Sequence, residues 1–310
     1  KNWQKLNGTP NMGFRDLVIQ KRESDLVAAS FGRGFYVLDD YSPLRNFSNE
    51  NLKKKGHLFP IKDGKWFIPR SNLGNTGADF YLAENPKYGV TMTYHLRDNY
   101  ETKSEKRKKS EKPLNKKLLN VPFPGYDNLD EEKNETPAYI KISIEDHDGN
   151  IIRHLKERAA RGTNRITWDL RHMFKGSLTD SNKKYNFRGP IVKPGKYSAT
   201  LYLVKGGLTT KLGEKKRFEL NPIYKSTLRG TGFEDYNKYV NEYFMVYNEV
   251  ELIEQKLKNI DEKVKYLKIA IENTPTNNTQ ELVLDFHNLK NSLLSIKRKV
   301  FGNESKTEIG

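Results

Sequence analysis

The feature that most constrains this fold is a set of period-two apolar runs between Pro137 and Pro222. In YIKISIED, Ile140, Ile142 and Ile144 alternate with mostly polar neighbours, DHDGN interrupts, and IIRHL returns. Alternation puts the isoleucines on one face of a strand, and Asp-Gly between two such runs signals a hairpin. NRITWDL sets Ile166 and Trp168 on one face, with Trp168 the core anchor because an indole buries more area than any aliphatic chain. GPIVKPGKYSATLYLV adds a Pro-Gly turn and a long strand in which Tyr197, Ala199, Leu201 and Leu203 share a face. A turn at Gly206-Gly207 then leads to KKRFEL. Residues 137–222 therefore read as one small β-sandwich.

Asp146, Asp148 and Asn150 imitate the start of an oxygen-ligand calcium loop, but no glutamate follows at the distance such a loop needs. The stretch reads as a turn. Six histidines are scattered without metal-ligand spacing, and the chain has no cysteine. Thiolate metal sites, disulfides and cysteine nucleophiles are thereby excluded. No metal, cofactor or catalytic residue is expected in this chain.

After the sandwich the period changes to that of a helix. Tyr236, Tyr239, Val240, Tyr243, Val246, Tyr247 and Val250 recur at spacings of three and four, continuing through Leu257 and Val264. TPTNN breaks the pattern, and Gln280 to Val300 carries Leu282, Leu289, Leu293, Ile296 and Val300 on one side. Residues 233–303 thus form a C-terminal helical hairpin, and the tyrosine stripe packs on the body or on its hairpin partner, with a partner surface as the alternative reading. Residues 47–136 read as a connector. They hold an apolar and aromatic run at 57–71, a first sandwich strand in VTMTYHL, the basic insertion ETKSEKRKKSEKPLNKKL, and a proline-fixed crossing in VPFPGYDNL.

The formal net charge of +16 raises the question of a polyanion partner. Lysine dominates and no nucleic-acid motif accompanies it, so the charge reads as a solvated surface, with nucleic-acid binding through 101–118 a minor reading. No run approaches the roughly 20 apolar residues of a membrane span. The chain opens at Lys1 without methionine or an apolar leader, and reads as a piece of a longer polypeptide.

Upstream, DLVIQ, LVAASF and FYVL give three short strands with tight polar turns, like one propeller blade. The unbroken run Phe35, Tyr36, Val37 and Leu38 fits a strand covered at least partly on both faces. DLVIQKRESDLVAASFGRGFYVLDDYSPLR resembles the closing blade of bacterial sortilin-like (BNR-repeat) β-propeller proteins, often labelled glycosyl hydrolases. Gly32-Arg33-Gly34, an aromatic and then Leu38-Asp39-Asp40 carry the resemblance, which extends through nearly the whole chain. The Ser-x-Asp-x-Gly-x-Thr box of that family does not occur. The Trp-Asp strand before a Pro-Gly-x-Tyr strand is similar to the immunoglobulin-like domain of FlgD type.

The expected fold is mainly β with an α C-terminus: a partial β-propeller blade at 1–46, an immunoglobulin-like β-sandwich and a C-terminal helical hairpin. The resemblance implies an exported bacterial protein, periplasmic, cell-surface or secreted. This portion would dock or brace, with the rest of the propeller polypeptide and a protein or glycan as partners. The alternative is part of a glycan-processing hydrolase whose site lies in upstream blades. Arg33, Asp39, Trp66 and Arg70 are the candidate ligand-facing residues. Adjacent Asp39 and Asp40, read as strand residues, point to opposite faces and cannot both flank one glycosidic bond.

Overall fold

The computed structural model describes residues 8–69, 85–173, 188–224, 230–275 and 279–303. The fold is mainly β with two C-terminal helices. The chain divides into two compact units, Lys1–Met173 with Pro190–Gly230, and Phe174–Gly189 with Thr231–Gly310.

The first unit opens with an antiparallel meander, β1 (Phe14–Gln20), β2 (Asp25–Ser30) and β3 (Phe35–Leu38), in sequential order. Val18 faces Val27, and Ala28 faces Tyr36. The expected cover on β3 is missing. Phe35 is 76% exposed and Val37 55%, because β3 is an edge strand and no second layer lies on it among the described residues. Leu17, Val18 and Ile19 of β1 are exposed as well. The strand ends at Leu38, and Asp40 takes φ 45°, so Asp39 and Asp40 form a turn and not an alternating strand pair.

Two short helices, α1 (Ser42–Arg45) and α2 (Asn49–Lys53), lead into two sheets sharing one core. The smaller has the order β4 (Gly56–Leu58), β6 (Val90–Leu96), β9 (Gly162–Trp168). The larger runs β5 (Gly64–Trp66), β14 (Lys216–Pro222), β12 (Gly195–Lys205), β7 (Tyr139–Glu145), β8 (Ile151–Arg158), with β13 (Leu208–Lys211) also on β12. Among the described residues of these sheets, only the β5–β14 pair is parallel. The strands β10 (Arg171–Met173) and β11 (Arg188–Ile191) lie outside both sheets. The two-sheet core thus draws strands from 56–66 and 90–96 as well as from 137–222.

The alternating residues fill the space between the sheets. Ile140, Ile142 and Ile144 are fully buried, as are Ala199 and Leu201 on the neighbouring strand. Trp168, 0% exposed, meets Tyr197 and Phe218 edge-on, and its indole N–H donates to the Arg171 carbonyl at 2.9 Å. Gly89 makes this approach feasible. It holds φ +128°, and a Cβ there would lie 1.8 Å from the Trp168 carbonyl oxygen. The β12–β13 turn uses Gly206 and Gly207, both at positive φ, the requirement of a tight two-residue hairpin.

The basic insertion is α3 (Lys103–Lys116), opened by a Thr102–Glu105 capping box and burying no residue. The stretch expected to be a simple crossing contains a further helix, α4 (Tyr126–Asn134), started at Gly125 with φ +90°. The two helices are tied by charge. The Arg107 guanidinium donates to both Glu132 oxygens at 2.7 and 2.8 Å and to Glu111 at 2.8 Å, while Lys103 reaches Glu131 at 2.6 Å. Lys103, Arg107 and Lys109, three of the eight basic residues of the insertion, are thus paired with carboxylates.

In the second unit, α5 (Phe233–Asn273) and α6 (Thr279–Phe301) form an antiparallel pair joined by an Asp261–Lys297 ion pair. Leu257 and Leu293 are its buried apolar residues among those described. The tyrosine stripe is not packed away: Tyr236, Tyr239 and Tyr243 are exposed.

Candidate functional site

The meander meets the two sheets at a cleft of about 370 Å³, walled by Glu23, Asp39, Lys62, Lys65, Phe67 and Tyr88 among others. Glu23 stands in the β1–β2 turn, positioned by its own N–H donating to Gln20 Oε1 at 2.6 Å. Two lysines from across the seam grip it. Lys62 Nζ donates to Glu23 Oε2 and to the Glu23 main-chain oxygen, both at 2.7 Å, and Lys65 Nζ donates to Oε1 at 2.6 Å. The hydrogen bond from Lys62, followed by that from Lys65, holds the Glu23 carboxyl down at about 2 against the opposing effect of desolvation.

The other grip is on main chain. Arg165, on β9, donates from its two terminal nitrogens to the carbonyls of Asp39 at 2.7 Å and Asp40 at 2.6 Å. The turn that presents those carbonyls is fixed locally. Asp40 Oδ1 accepts from the Ser42 hydroxyl at 2.6 Å, and the Asp40 N–H donates to Asp25 Oδ1 at 2.9 Å. Tyr88 closes the far wall, its hydroxyl donating to the Phe67 carbonyl at 2.5 Å and its ring meeting the Phe67 ring edge-on. Burial pushes the Tyr88 phenol above its ordinary value.

The four sequence candidates do not converge. Asp39 lines the cleft with an exposed side chain. Arg33 is exposed in the β2–β3 turn, at the other end of β3, so a strand length of about 13 Å separates their neighbourhoods. Trp66, on β5, is half-buried against the core, and its indole N–H donates to the Val192 carbonyl at 2.7 Å. Arg70 lies outside the described residues.

Chemically the seam is a clamp. A glycosidase acid needs a carboxyl whose pKa is raised, whereas Glu23 is driven the opposite way by two ammonium groups. Asp25 and Asp40 are committed to the turn. Among the described residues no group of three or more His, Asp or Glu side chains could hold a metal ion. No helix there is long and apolar enough to cross a membrane.

Glu23, Lys62, Lys65 and Arg165 were not singled out by the sequence. Alternation does place Arg165 on the face opposite Ile166 and Trp168, so its outward direction was available; its partner was not. His57 and His95 are likewise cross-strand neighbours on β4 and β6, although 38 positions apart in the numbering gave no hint of it. Burial holds both imidazoles below their ordinary value, with nearby cations adding to the effect.

No protein-family model and no curated protein matches the chain. Among solved structures it is similar to dimeric latent PorU from Porphyromonas gingivalis, at 10% identity and a TM-score of 0.26. The match covers 64% of this chain and 12% of that one.

Proposed function

We propose that this chain is a docking and structural portion of an exported bacterial β-propeller protein. In this reading β1–β3 is the closing blade, the two-sheet core is an immunoglobulin-like module held beside it, and the helical pair braces or recruits a partner. The observation that carries the reading is a contrast. Both outer strands of the meander expose large apolar side chains, among them Val18, Phe35 and Val37, while the seam beneath is fastened by Arg165 and Glu23. A single propeller blade has this property, since its faces are buried by neighbouring blades. The test compares amide exchange in the 310-residue chain with exchange in the natural polypeptide that contains it. Amides of β1 and β3 slow at least tenfold in the natural polypeptide if other blades cover them. Equal exchange in both, or a natural polypeptide with no residues before Lys1, overturns the reading.

A second reading, glycan binding or processing at this seam, rests on the exposed Asp39 carboxylate beside Phe67 and Tyr88. Aromatic walls next to a carboxylate suit a sugar face and its hydroxyls. A glycan array probed with wild type and Asp39→Asn tests it. Binding lost in the variant supports the reading, and no glycan bound by wild type removes it.

A further inference from the structure

The two helices of the second unit are unequal. At 41 and 23 residues, α5 and α6 are about 60 and 35 Å long. The Asp261–Lys297 pair fixes their register, so α6 ends near the level of Leu257. Residues 233–256 therefore run on beyond the end of α6 as an arm about 36 Å long.

The arm continues the seam that α6 covers. Tyr239, Tyr243, Val246 and Val250 follow one another by four, three and four residues, and Leu257 and Val264 prolong the same face. Leu257 is 5% exposed under α6, while Tyr239 is 66% and Val246 61% exposed beyond it. This face is distinct from that of Val240, Phe244 and Asn248, which are half-buried. The arm is also acidic, with six carboxylates against two lysines, in a chain of net charge +16.

The covered end of the pair offers the complement. A groove of about 330 Å³ runs between α5 and α6, with Val264, Phe286 and Leu294 in its walls and Lys265, Lys268 and Lys290 at its rim. Lys265 and Lys290 have no carboxylate partner among the described residues, and neither Glu242 nor Glu249 has a cationic one. An acidic apolar stripe and a basic apolar groove thus lie on one straight helix. That helix cannot fold back on itself, so only another molecule can bring them together.

We propose that two copies of this chain associate through α5, each arm seating its Tyr239–Val250 stripe in the α5–α6 groove of the other. A twofold axis near Lys256, where α6 ends, sets the helices antiparallel and makes the contact self-complementary. Each end of the assembly is then a three-helix bundle. Glu242 of one copy then lies near the level of the other's Lys290, and Glu249 near that of its Lys265, so the contact weakens as salt rises.

Sedimentation velocity of the 310-residue chain over a concentration series tests this, with circular dichroism to check that variants keep their helix content. Tyr243→Asp with Val246→Asp raises the dissociation constant at least about tenfold. Because an apolar-to-acid change can disturb a helix, a charge-reversal pair decides independently. Glu242→Lys with Glu249→Lys, and separately Lys265→Glu with Lys290→Glu, each weaken self-association about tenfold or more. Mixing the two reversed chains restores dimers, since both seams then pair opposite charges. Association through other apolar surfaces, such as the meander, does not follow this pattern. A monomer at every concentration, a dimer indifferent to these changes, or a mixture that stays dissociated overturns the proposal.

Discussion

Arg165 holds two consecutive carbonyls, at 2.7 Å for Asp39 and 2.6 Å for Asp40, across 126 and 125 positions of chain. Its aliphatic stem rises from β9, whose opposite face carries the buried Trp168, so the guanidinium transmits the position of the core to the end of the meander. Charged donors to main-chain oxygens are stronger than neutral ones. Arg165→Ala is expected to loosen the meander by about 1–3 kcal/mol while the two-sheet core keeps its stability. Amide exchange checks this: the β2–β3 amides speed up, and those of β7 and β12 do not. Uniform acceleration across all four strands would mean that Arg165 supports the core as a whole.

Glu23 gives the seam a pH dependence. Its carboxyl falls from 4.5 to about 2 on folding, so its contribution is complete above 4.5 and fades as pH drops towards 2. Lys62 and Lys65 are 36% and 58% exposed, so water and salt screen the clamp to about 1 kcal/mol. In urea titrations Glu23→Gln is less stable than wild type at neutral pH. The gap closes as the medium is acidified from 4.5 to about 2. A gap that stays constant through that window would show that Glu23 acts by packing and not by charge.

Trp168 and Gly89 form one unit, because the glycine's missing side chain makes room for the tryptophan carbonyl. Trp168→Ala is expected to cost about 3–5 kcal/mol through lost contacts and an unfilled cavity. Gly89→Ala places a Cβ 1.8 Å from the Trp168 oxygen at φ +128°, so β6 cannot stay paired with β9 as it stands. Thermal unfolding followed by tryptophan fluorescence reads both. A Gly89→Ala protein that melts like wild type would mean that the β6–β9 approach is not as close as 1.8 Å allows.

Strand content was legible where burial is one-sided and regular. Ile140, Ile142 and Ile144, and the run Tyr197, Ala199, Leu201 and Leu203, are the buried residues that alternation named. Trp168 needed only its size. Which strand joins which sheet was not legible, since β6 pairs with β9 and not with β7, which follows it among the strands. β4 and β5 span three residues each, too short for any period to register. α4 was hidden by prolines at 122 and 124, where the helix waits for Gly125 to turn the chain. The clamp was least visible of all. Glu23 meets Lys62 and Lys65 at separations of 39 and 42 residues, and nothing in a lysine-rich chain marks two lysines as different from the rest.

The two-sheet core carries a meander whose apolar side chains stay exposed among the described residues. Site-resolved hydrogen exchange of the 310-residue chain tests it most directly. Amides of Tyr139–Glu145 and Gly195–Lys205 are expected to exchange only through global unfolding, and those of Phe35–Leu38 at least about a hundredfold faster. Protection of Phe35–Leu38 equal to that of Ile142 and Leu201 would show that this chain covers β3 by itself, and would contradict the account.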